Sequence, residues 1–127
     1  MSENVVMETN LPGLKKINQG KVRDMYEVDD DLLIVATDRI SAYDSVMPNG
    51  IPHKGRVLTG LTLFWLETLD VPNHLITDDV EAMPEAVRAH ADVLRGRSML
   101  VKKCDVIPIE CVVRGYLAGS GWREYRA

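Results

Sequence analysis

Four segments of the sequence carry residue types that could bind anionic or polar small molecules. The first runs from Gly20 to Asp24, at the front of a predicted strand. Glycine lets the backbone approach a ligand closely, and the ammonium group of Lys21 can lie beside phosphate oxygens. The segment does not have the GxxxxGK[ST] pattern of a Walker A loop. A loop glycine followed by a solvated strand is the competing interpretation.

The second segment, 36–44, leaves the end of a strand that is predicted to be buried, where rigid scaffolds commonly present functional groups. It contains two carboxylates, a guanidinium and a hydroxyl, namely Asp38, Arg39, Ser41 and Asp44. These groups could hold a polar substrate. They could equally form an internally paired loop, in which Asp38 and Arg39 satisfy each other or the backbone.

The third segment, Lys54-Gly55-Arg56, stands at the start of a predicted helix. Cations beside a helix N-terminus reinforce anion binding there, because the first backbone N–H groups of a helix are unpaired. Ordinary solvated charge is the alternative.

The fourth segment, 106–121, is the most specific of the four. In a strand, Glu110 and Arg114 share one face with a valine between them, which suits a site better than a core. Gly119-Ser120-Gly121 then supplies flexible backbone N–H groups and one hydroxyl, which could cradle a phosphate. A surface ion pair followed by a glycine-rich turn is the alternative interpretation.

Apolar patterning indicates the elements that must position these groups. It predicts four strands, at 22–28, 32–37, 98–104 and 109–116, with the first two joined by a polar turn. Helical spacing predicts one helix at 55–69, a second from Pro84 to Gly96, and the opening of a third at 120–127. Mixed strands and helices of this kind predict an α+β fold, with a mostly antiparallel sheet and flanking helices.

The composition is that of one globular unit. A compact protein of 14.2 kDa exposes roughly 6,800 Å², so 127 residues suffice for one core. The net charge of −4 disfavours a nucleic-acid partner or an anionic membrane surface, and no apolar run is long enough to span a bilayer. The first twelve residues show no secretory signal, so a cytoplasmic location is expected. Cys104 and Cys111 are therefore expected to be buried, reduced thiols.

The segment 106–120 resembles the signature of the SAICAR synthetase family, in which an apolar pair, Pro, an apolar residue and Glu precede Arg and Gly-Ser at fixed spacing. The other three segments, and the Trp that follows Gly121, match that family in the same order over nearly the whole chain. The family joins the carboxylate of carboxyaminoimidazole ribotide (CAIR) to L-aspartate in purine synthesis, with ATP and Mg²⁺. The resemblance therefore implies a carbon–nitrogen ligase that acts on small molecules.

The resemblance also implies roles for individual residues. ATP would contact Gly20, Lys21, Lys102, Lys103, Val106 and Glu110. CAIR or the substrate cleft would be lined by Asp38, Arg39, Ser41, Asp44, Lys54, Arg114 and Ser120. No catalytic residue is assigned, although Lys21 and Arg114 are the expected contributors, and we expect these two to face one cavity.

Family members are considerably longer, and their Mg²⁺-binding acidic segments lie in a second half that has no counterpart here. We therefore expect an N-terminal lobe at 1–97 and the first strands of a second lobe at 98–127, without metal ligands and without ligase activity of its own. Strands without their partners would also favour association into a homo-oligomer.

Two other classes of function remain open. A binding module that holds nucleotide or phosphate without catalysis would need the same glycines and cations. A kinase-like phosphotransferase would share the glycine loop, lysine and hinge strand, but the sequence contains no HRD-like or DFG-like segment.

Overall fold

A computed structural model describes residues 5–127 as a sheet with helices. The strands are β1 (Lys15–Gln19), β2 (Arg23–Val28), β3 (Asp31–Ala36), β4 (Ser41–Ala42), β5 (Ser45–Val46), β6 (Leu75–Thr77) and β7 (Ser98–Lys102). The helices are α1 (Lys54–Thr68), α2 (Glu85–Arg88), α3 (Ala91–Leu94) and α4 (Ser120–Arg126), with one turn of 3₁₀ helix at Val80–Ala82.

The main sheet has the strand order β1-β2-β3-β7-β6, and every neighbouring pair is antiparallel. Strands β4 and β5 form a separate small hairpin. The predicted α+β fold with an antiparallel sheet is thus confirmed. The sheet continues to Lys102, past the predicted boundary at residue 97, because β7 pairs with both β3 and β6. The division into two lobes stays a prediction.

The predicted hairpin is present as β2 and β3, which are joined by a two-residue turn. Asp29 adopts a φ of 51° in that turn, a conformation that aspartate tolerates better than most residues. Leu33 and Val35 on β3 are fully buried and Tyr26 on β2 nearly so. This face of the sheet forms the core with Val87 and other apolar residues of 80–94.

Helix α1 lies against the opposite face of the sheet. Gly55 and Thr59 are its buried residues, and a methyl group at Gly55 would overlap the carbonyl oxygen of Ala36. The close approach of the helix to β3 therefore requires glycine at this position. Further along α1, several apolar side chains are about half exposed, including Val57, Leu61, Phe64 and Trp65.

The second predicted helix is wrong as a single element, since it is divided into the short α2 and α3. His90 leaves the helical conformation (φ −114°, ψ 21°), and its imidazole Nε2 lies 2.9 Å from the carbonyl oxygen of Pro12. The apolar residues Val87 and Leu94 are nevertheless both buried, as their spacing indicates.

The predicted strand at 109–116 is also wrong. The whole segment 103–119 is irregular, and Val106, Val113 and Tyr116 are nearly fully exposed. A strand exists only through pairing, and no strand of the described part of the chain lies beside this segment. In contrast, β1, β6 and the β4–β5 hairpin form without a clear strand pattern in the sequence.

A buried ion pair fastens α1 to the end of β3. Asp38 follows β3 and is fully buried, and its Oδ1 accepts hydrogen bonds from Nη1 of Arg97 and from the backbone N–H of Gly55, both at 2.9 Å. Its Oδ2 accepts from the backbone N–H of Val6 at 2.8 Å. Burial opposes ionisation, but the hydrogen bonds from Arg97, Val6 and Gly55 hold the pKa of Asp38 below its usual range.

We predict that Gly55→Ala lowers the free energy of unfolding by about 1–3 kcal/mol, because its methyl group would force α1 away from β3. Gly60→Ala on the same helix is the matched control, since nothing lies within 4 Å of the position that its methyl group would occupy. That variant should gain about 1 kcal/mol through helix propensity. Urea unfolding followed by circular dichroism measures both, and equal effects of the two substitutions would contradict this packing.

We predict that Asp38→Asn lowers the free energy of unfolding at pH 7 by about 3–5 kcal/mol, because Arg97 would be left buried without its counter-ion. A carboxylate with a lowered pKa stabilises the fold above its unfolded pKa, and this contribution is lost as the pH falls. The difference between the wild type and the variant should therefore shrink below about pH 4.

Glu81→Gln removes one charge from the exposed pair with Arg95 and serves as the control. Its effect should stay within about 1 kcal/mol. A stability difference for Asp38→Asn that does not change between pH 7 and pH 3 would show that the Asp38 carboxylate is not the group responsible.

Candidate functional site

The Gly20 turn between β1 and β2 presents Lys21 to solvent. The backbone N–H of Gly20 donates to the carbonyl oxygen of Arg23 at 2.8 Å, which closes the turn. The ammonium group of Lys21 forms an ion pair with the carboxylate of Asp44, and both side chains are largely exposed. The hydrogen bond and the charge of Lys21 lower the pKa of Asp44. The first and second candidate segments therefore meet in space.

Asp44 reaches Lys21 from a strained turn. Tyr43 and Asp44 are the two central residues of the β4–β5 hairpin, and both have positive φ values of 50° and 63°. Such a turn normally uses Asn and Gly, because positive φ is unfavourable for a side chain as bulky as tyrosine. Ser41, the first residue of β4, lies two residues before the turn and is half-buried.

Arg39 holds the Gly20 turn from the protein interior. Its guanidinium donates to the carbonyl oxygens of Gly20, Lys21 and Met7 at 2.9, 3.2 and 2.7 Å. Nη2 also donates to Oδ1 of Asp24 at 2.8 Å. Since Arg39 is only 5% exposed, it acts on Lys21 through the backbone.

Asp24 provides the counter-charge for Arg39. The carboxylate is fully buried and its Oδ2 accepts from the backbone N–H and the hydroxyl of Thr9 at 2.9 and 2.7 Å. Burial favours the neutral acid, yet the hydrogen bonds from Arg39 and Thr9 keep the pKa of Asp24 below its usual range. Asp38 and Arg39 are thus paired within the protein but not with each other. Asp38 pairs with Arg97, and Arg39 pairs with Asp24.

The sequence interpretation did not identify Asp24 and Arg97 as partners. A signal existed for Asp24, because strand alternation puts it on the same face as the buried Tyr26 and Val28. A carboxylate on a core face requires a counter-charge. Arg97 carries no comparable signal, since its burial depends on how 75–97 folds over the sheet.

Arg114 and Ser120 approach each other across the end of segment 103–119. Nη2 of Arg114 lies 3.5 Å from the hydroxyl oxygen of Ser120, which is the first residue of α4. Glu110 is exposed. Because 109–116 is not a strand, the prediction that Glu110 and Arg114 share one strand face is wrong. Val106 is also exposed, at 88%.

Three further candidate cations lie at or beside the ends of regular elements. Lys102 is the last residue of β7, and Lys103 after it forms a 3.6 Å ion pair with Glu27 of β2. Lys54 is the first residue of α1 and is half-buried, and its backbone N–H donates to the carbonyl oxygen of Ile51.

Two separate clusters result, Lys21 with Asp44 and Arg114 with Ser120. A cavity of about 430 Å³ lies between α1 and the sheet, with Ile34, Trp65 and Met99 in its wall. A second lies at the N-terminus of α1 and a third at α4, and neither Lys21 nor Arg114 lines any of the three. These cavities therefore do not supply the shared cavity that the sequence led us to expect.

Metal-binding donors are not assembled in residues 5–127, where no three His, Cys, Asp or Glu side chains are placed to hold an ion. The described residues thus do not fit the Mg²⁺ ion that the family resemblance implies, and we derive no step through a metal. Cys104 and Cys111 are free thiols, but both are exposed, so their predicted burial is wrong. None of the helices in this part of the chain is long and apolar enough to cross a membrane.

Known proteins resemble this chain along most of its length. The SAICAR synthetase family model matches residues 16–127. The phosphoribosylaminoimidazole-succinocarboxamide synthase of Syntrophobacter fumaroxidans is 60% identical over 127 residues, which cover 98% of this chain and 42% of the relative. The same enzyme of Thermodesulfovibrio yellowstonii is 55% identical over 126 residues, with coverages of 98% and 43%.

Solved structures show the same similarity to SAICAR synthases. A SAICAR synthase structure superposes with a TM-score of 0.86 at 46% identity, covering 95% of this chain and 44% of the other. The Saccharomyces cerevisiae SAICAR synthase complexed with SAICAR superposes with a TM-score of 0.82 at 45% identity and the same coverage. The chain thus spans less than half the length of the relatives that it matches, and it belongs to the SAICAR synthetase family.

Proposed function

We propose that the chain contributes the ATP- and CAIR-binding part of an enzyme that ligates L-aspartate to CAIR and forms SAICAR, ADP and phosphate. One observation carries the proposal above all others. The fold superposes over 95% of the chain, with 45% identical residues, on a SAICAR synthase complexed with SAICAR. That coverage includes most of the irregular segment 103–119, which carries Arg114.

The chemistry accounts for the residue types. A carboxylate is a poor electrophile, so an oxygen of the CAIR carboxylate first attacks the γ-phosphorus of ATP and ADP leaves. The amine of aspartate then attacks the acyl carbon of the acyl phosphate, phosphate leaves, and the nitrogen loses a proton to complete the amide. Three anionic reactants must meet, so the main tasks of the protein are positioning and charge neutralisation.

Lys21 is proposed to bind the ATP phosphates above the Gly20 turn. Its ion pair with Asp44 is exposed, and exposed pairs contribute little free energy, so a phosphate can displace the carboxylate. Arg39 keeps the Gly20 and Lys21 carbonyls in place while this exchange occurs. Lys102, Lys103, Val106 and Glu110 are proposed to border the nucleotide, where β7 ends and the irregular segment begins.

Arg114 and Ser120 are proposed to bind CAIR. The contact between the Arg114 guanidinium and the Ser120 hydroxyl is weak, at 3.5 Å. Both groups therefore retain N–H or O–H donors that can form hydrogen bonds to one oxyanion. The planar guanidinium is suited to bidentate binding of a phosphate or carboxylate. Ser41, Asp44 and Lys54 are proposed to line the cleft beside them.

Asp38 and Arg39 contribute to the same cleft without touching a ligand in this proposal. Their charged groups are buried and saturated with protein partners, as described above. Asp38 fixes both ends of the loop 38–54, because the N–H groups of Ile51 and Gly55 also bind it. Both residues are therefore positioning residues.

The chain exposes 9387 Å², roughly 2,600 Å² more than a compact protein of its mass would expose. Much of this excess is apolar and lies on α1 and on 103–119. We propose that other parts of a complete family member, or a second copy of the chain, cover it. Association into a homo-oligomer stays a prediction.

We predict that the purified chain binds ATP in calorimetric titration but does not release ADP when CAIR and aspartate are added, because the described residues assemble no metal site. Lys21→Gln should weaken ATP binding about tenfold through loss of a charge-assisted contact. ADP release that requires both CAIR and aspartate would refute the inactivity of the chain. Binding of ATP and CAIR without turnover is also the behaviour of a non-catalytic module, so a complete member of the family must be assayed in parallel.

We predict that Arg114→Lys in the complete enzyme raises the KM for CAIR at least tenfold and changes the KM for ATP by less than about twofold. A lysine keeps the charge but cannot form two parallel hydrogen bonds to one oxyanion. Steady-state kinetics with each substrate varied in turn measures the two values. A rise in the KM for ATP alone would show that Arg114 belongs to the nucleotide site.

A further inference from the structure

The outward face of α1 is apolar and uncovered within the described part of the chain. Val57, Leu61 and Phe64 follow one another at helical spacing and are each more than half exposed, as is Trp65. The rings of Phe64 and Trp65 contact each other edge to face, with their centroids 5.1 Å apart. No Lys, Arg, Asp or Glu interrupts the helix over 57–66. Contiguous exposed apolar surface of this kind marks an interaction site.

The charges at the two ends of α1 are placed against the helix dipole. Arg56 lies in the first turn, which has no acidic residue, and Glu67 lies in the last turn, which has no basic residue. A helix carries partial positive charge at its N-terminus and partial negative charge at its C-terminus, so each side chain is repelled by its own end. Both side chains are exposed, and neither forms an ion pair within residues 5–127.

An antiparallel second copy of α1 removes this conflict. It places the N-terminus of each helix beside the C-terminus of the other, where the two dipoles attract. Arg56 and Glu67 are eleven residues apart, which is close to three turns, so they lie along the same flank of the helix. A two-fold axis near Leu61, perpendicular to both helices, keeps that flank on one side and brings Arg56 of each copy about level with Glu67 of the other. The order of cation, apolar run and anion is therefore self-complementary.

The exposed apolar area is sufficient for a weak dimer. Phe64 and Trp65 are each about half exposed, so these two side chains alone leave about 200 Å² to bury on each copy. With Val57, Leu61 and Leu69, two copies would bury roughly 1,000 Å², which is at the low end for specific interfaces. We therefore expect a dissociation constant in the micromolar range.

We propose that α1 is a self-association surface, on which a second copy of the chain packs its own α1 in the antiparallel direction. The apolar side chains form the centre, and an Arg56–Glu67 ion pair closes each end. The contact does not use an edge of the sheet, because edge strand β1 carries Lys15 and Lys16, and charged edges resist pairing. It uses none of the residues that we assign to ATP or CAIR, so it does not depend on the proposed ligase function.

The first test is sedimentation equilibrium of the purified chain over a range of concentrations. The wild type should pass from monomer to dimer. Leu61→Glu should weaken the dimer by about a hundredfold or more, because it buries two charges at the centre of the contact. Ile76→Glu on β6 and Val113→Glu on 103–119 place the same charge at other exposed apolar positions and should change the dissociation constant by less than about twofold. Circular dichroism checks that each variant is folded.

Charge reversal tests the antiparallel arrangement. Arg56→Glu and Glu67→Arg should each weaken association about tenfold, since each places like charges opposite one another at both ends of the dimer. A mixture of the two variants restores both pairs and should associate as tightly as the wild type. The two charges lie about 16 Å apart along one helix, so this rescue requires two copies. Arg88→Glu makes the same charge change on exposed α2 and should have less than about a twofold effect.

Several outcomes would overturn the proposal. A wild-type chain that stays monomeric at millimolar concentration would leave this face to other parts of a complete family member. Equal effects of Val113→Glu and Leu61→Glu would place 103–119 in the contact, and an effect of Ile76→Glu would indicate pairing at the edge of the sheet. Charge-reversal variants that associate as tightly as the wild type would contradict the antiparallel order. Each of these results leaves the ligase proposal to its own tests.

Discussion

Two consecutive side chains of opposite charge, Asp38 and Arg39, are buried where β3 ends, and the rest of the site depends on how they are neutralised. An unpaired charge in the interior is strongly destabilising, so each must find a partner elsewhere in the chain. Asp38 pairs with Arg97 and thereby brings the start of α1 against the sheet. Arg39 pairs with Asp24 and at the same time binds the carbonyl groups of the Gly20 turn.

Local patterns were sufficient for the elements whose stability is local. The β2–β3 hairpin and α1 follow from alternation, a two-residue turn and helical spacing, and the structure contains both. Strand β1 could not be predicted, because Lys15–Gln19 is mostly polar and becomes a strand only by pairing with β2. Segment 109–116 shows the reverse case, with strand-like composition and no strand to pair with among residues 5–127. The partners of Asp38 and Arg39 were missed for the same reason, since both are set by contacts between distant parts of the chain.

The Lys21–Asp44 contact illustrates how strain and weak electrostatics can be combined in one site. The backbone at Tyr43 and Asp44 is held in a conformation that few residues with side chains adopt, and this directs a carboxylate toward the Gly20 turn. An exposed ion pair alone would not offset much strain. The adjoining hydrogen bonds of the loop, such as that from Met47 to Ile40, therefore have to contribute to its conformation.

The irregular path of 103–119 has a consequence for molecular recognition. A peptide without ladder hydrogen bonds has many accessible backbone conformations, and selecting one of them costs free energy whenever a ligand is captured. Arg114 is carried on such a stretch, whereas Lys21 is carried on a turn that a guanidinium braces from within. The intrinsic affinity of these two cations for equally charged ligands should therefore differ. Lys21, at the proposed nucleotide end, is preorganised, whereas Arg114, at the proposed ribotide end, depends on whatever surface immobilises it.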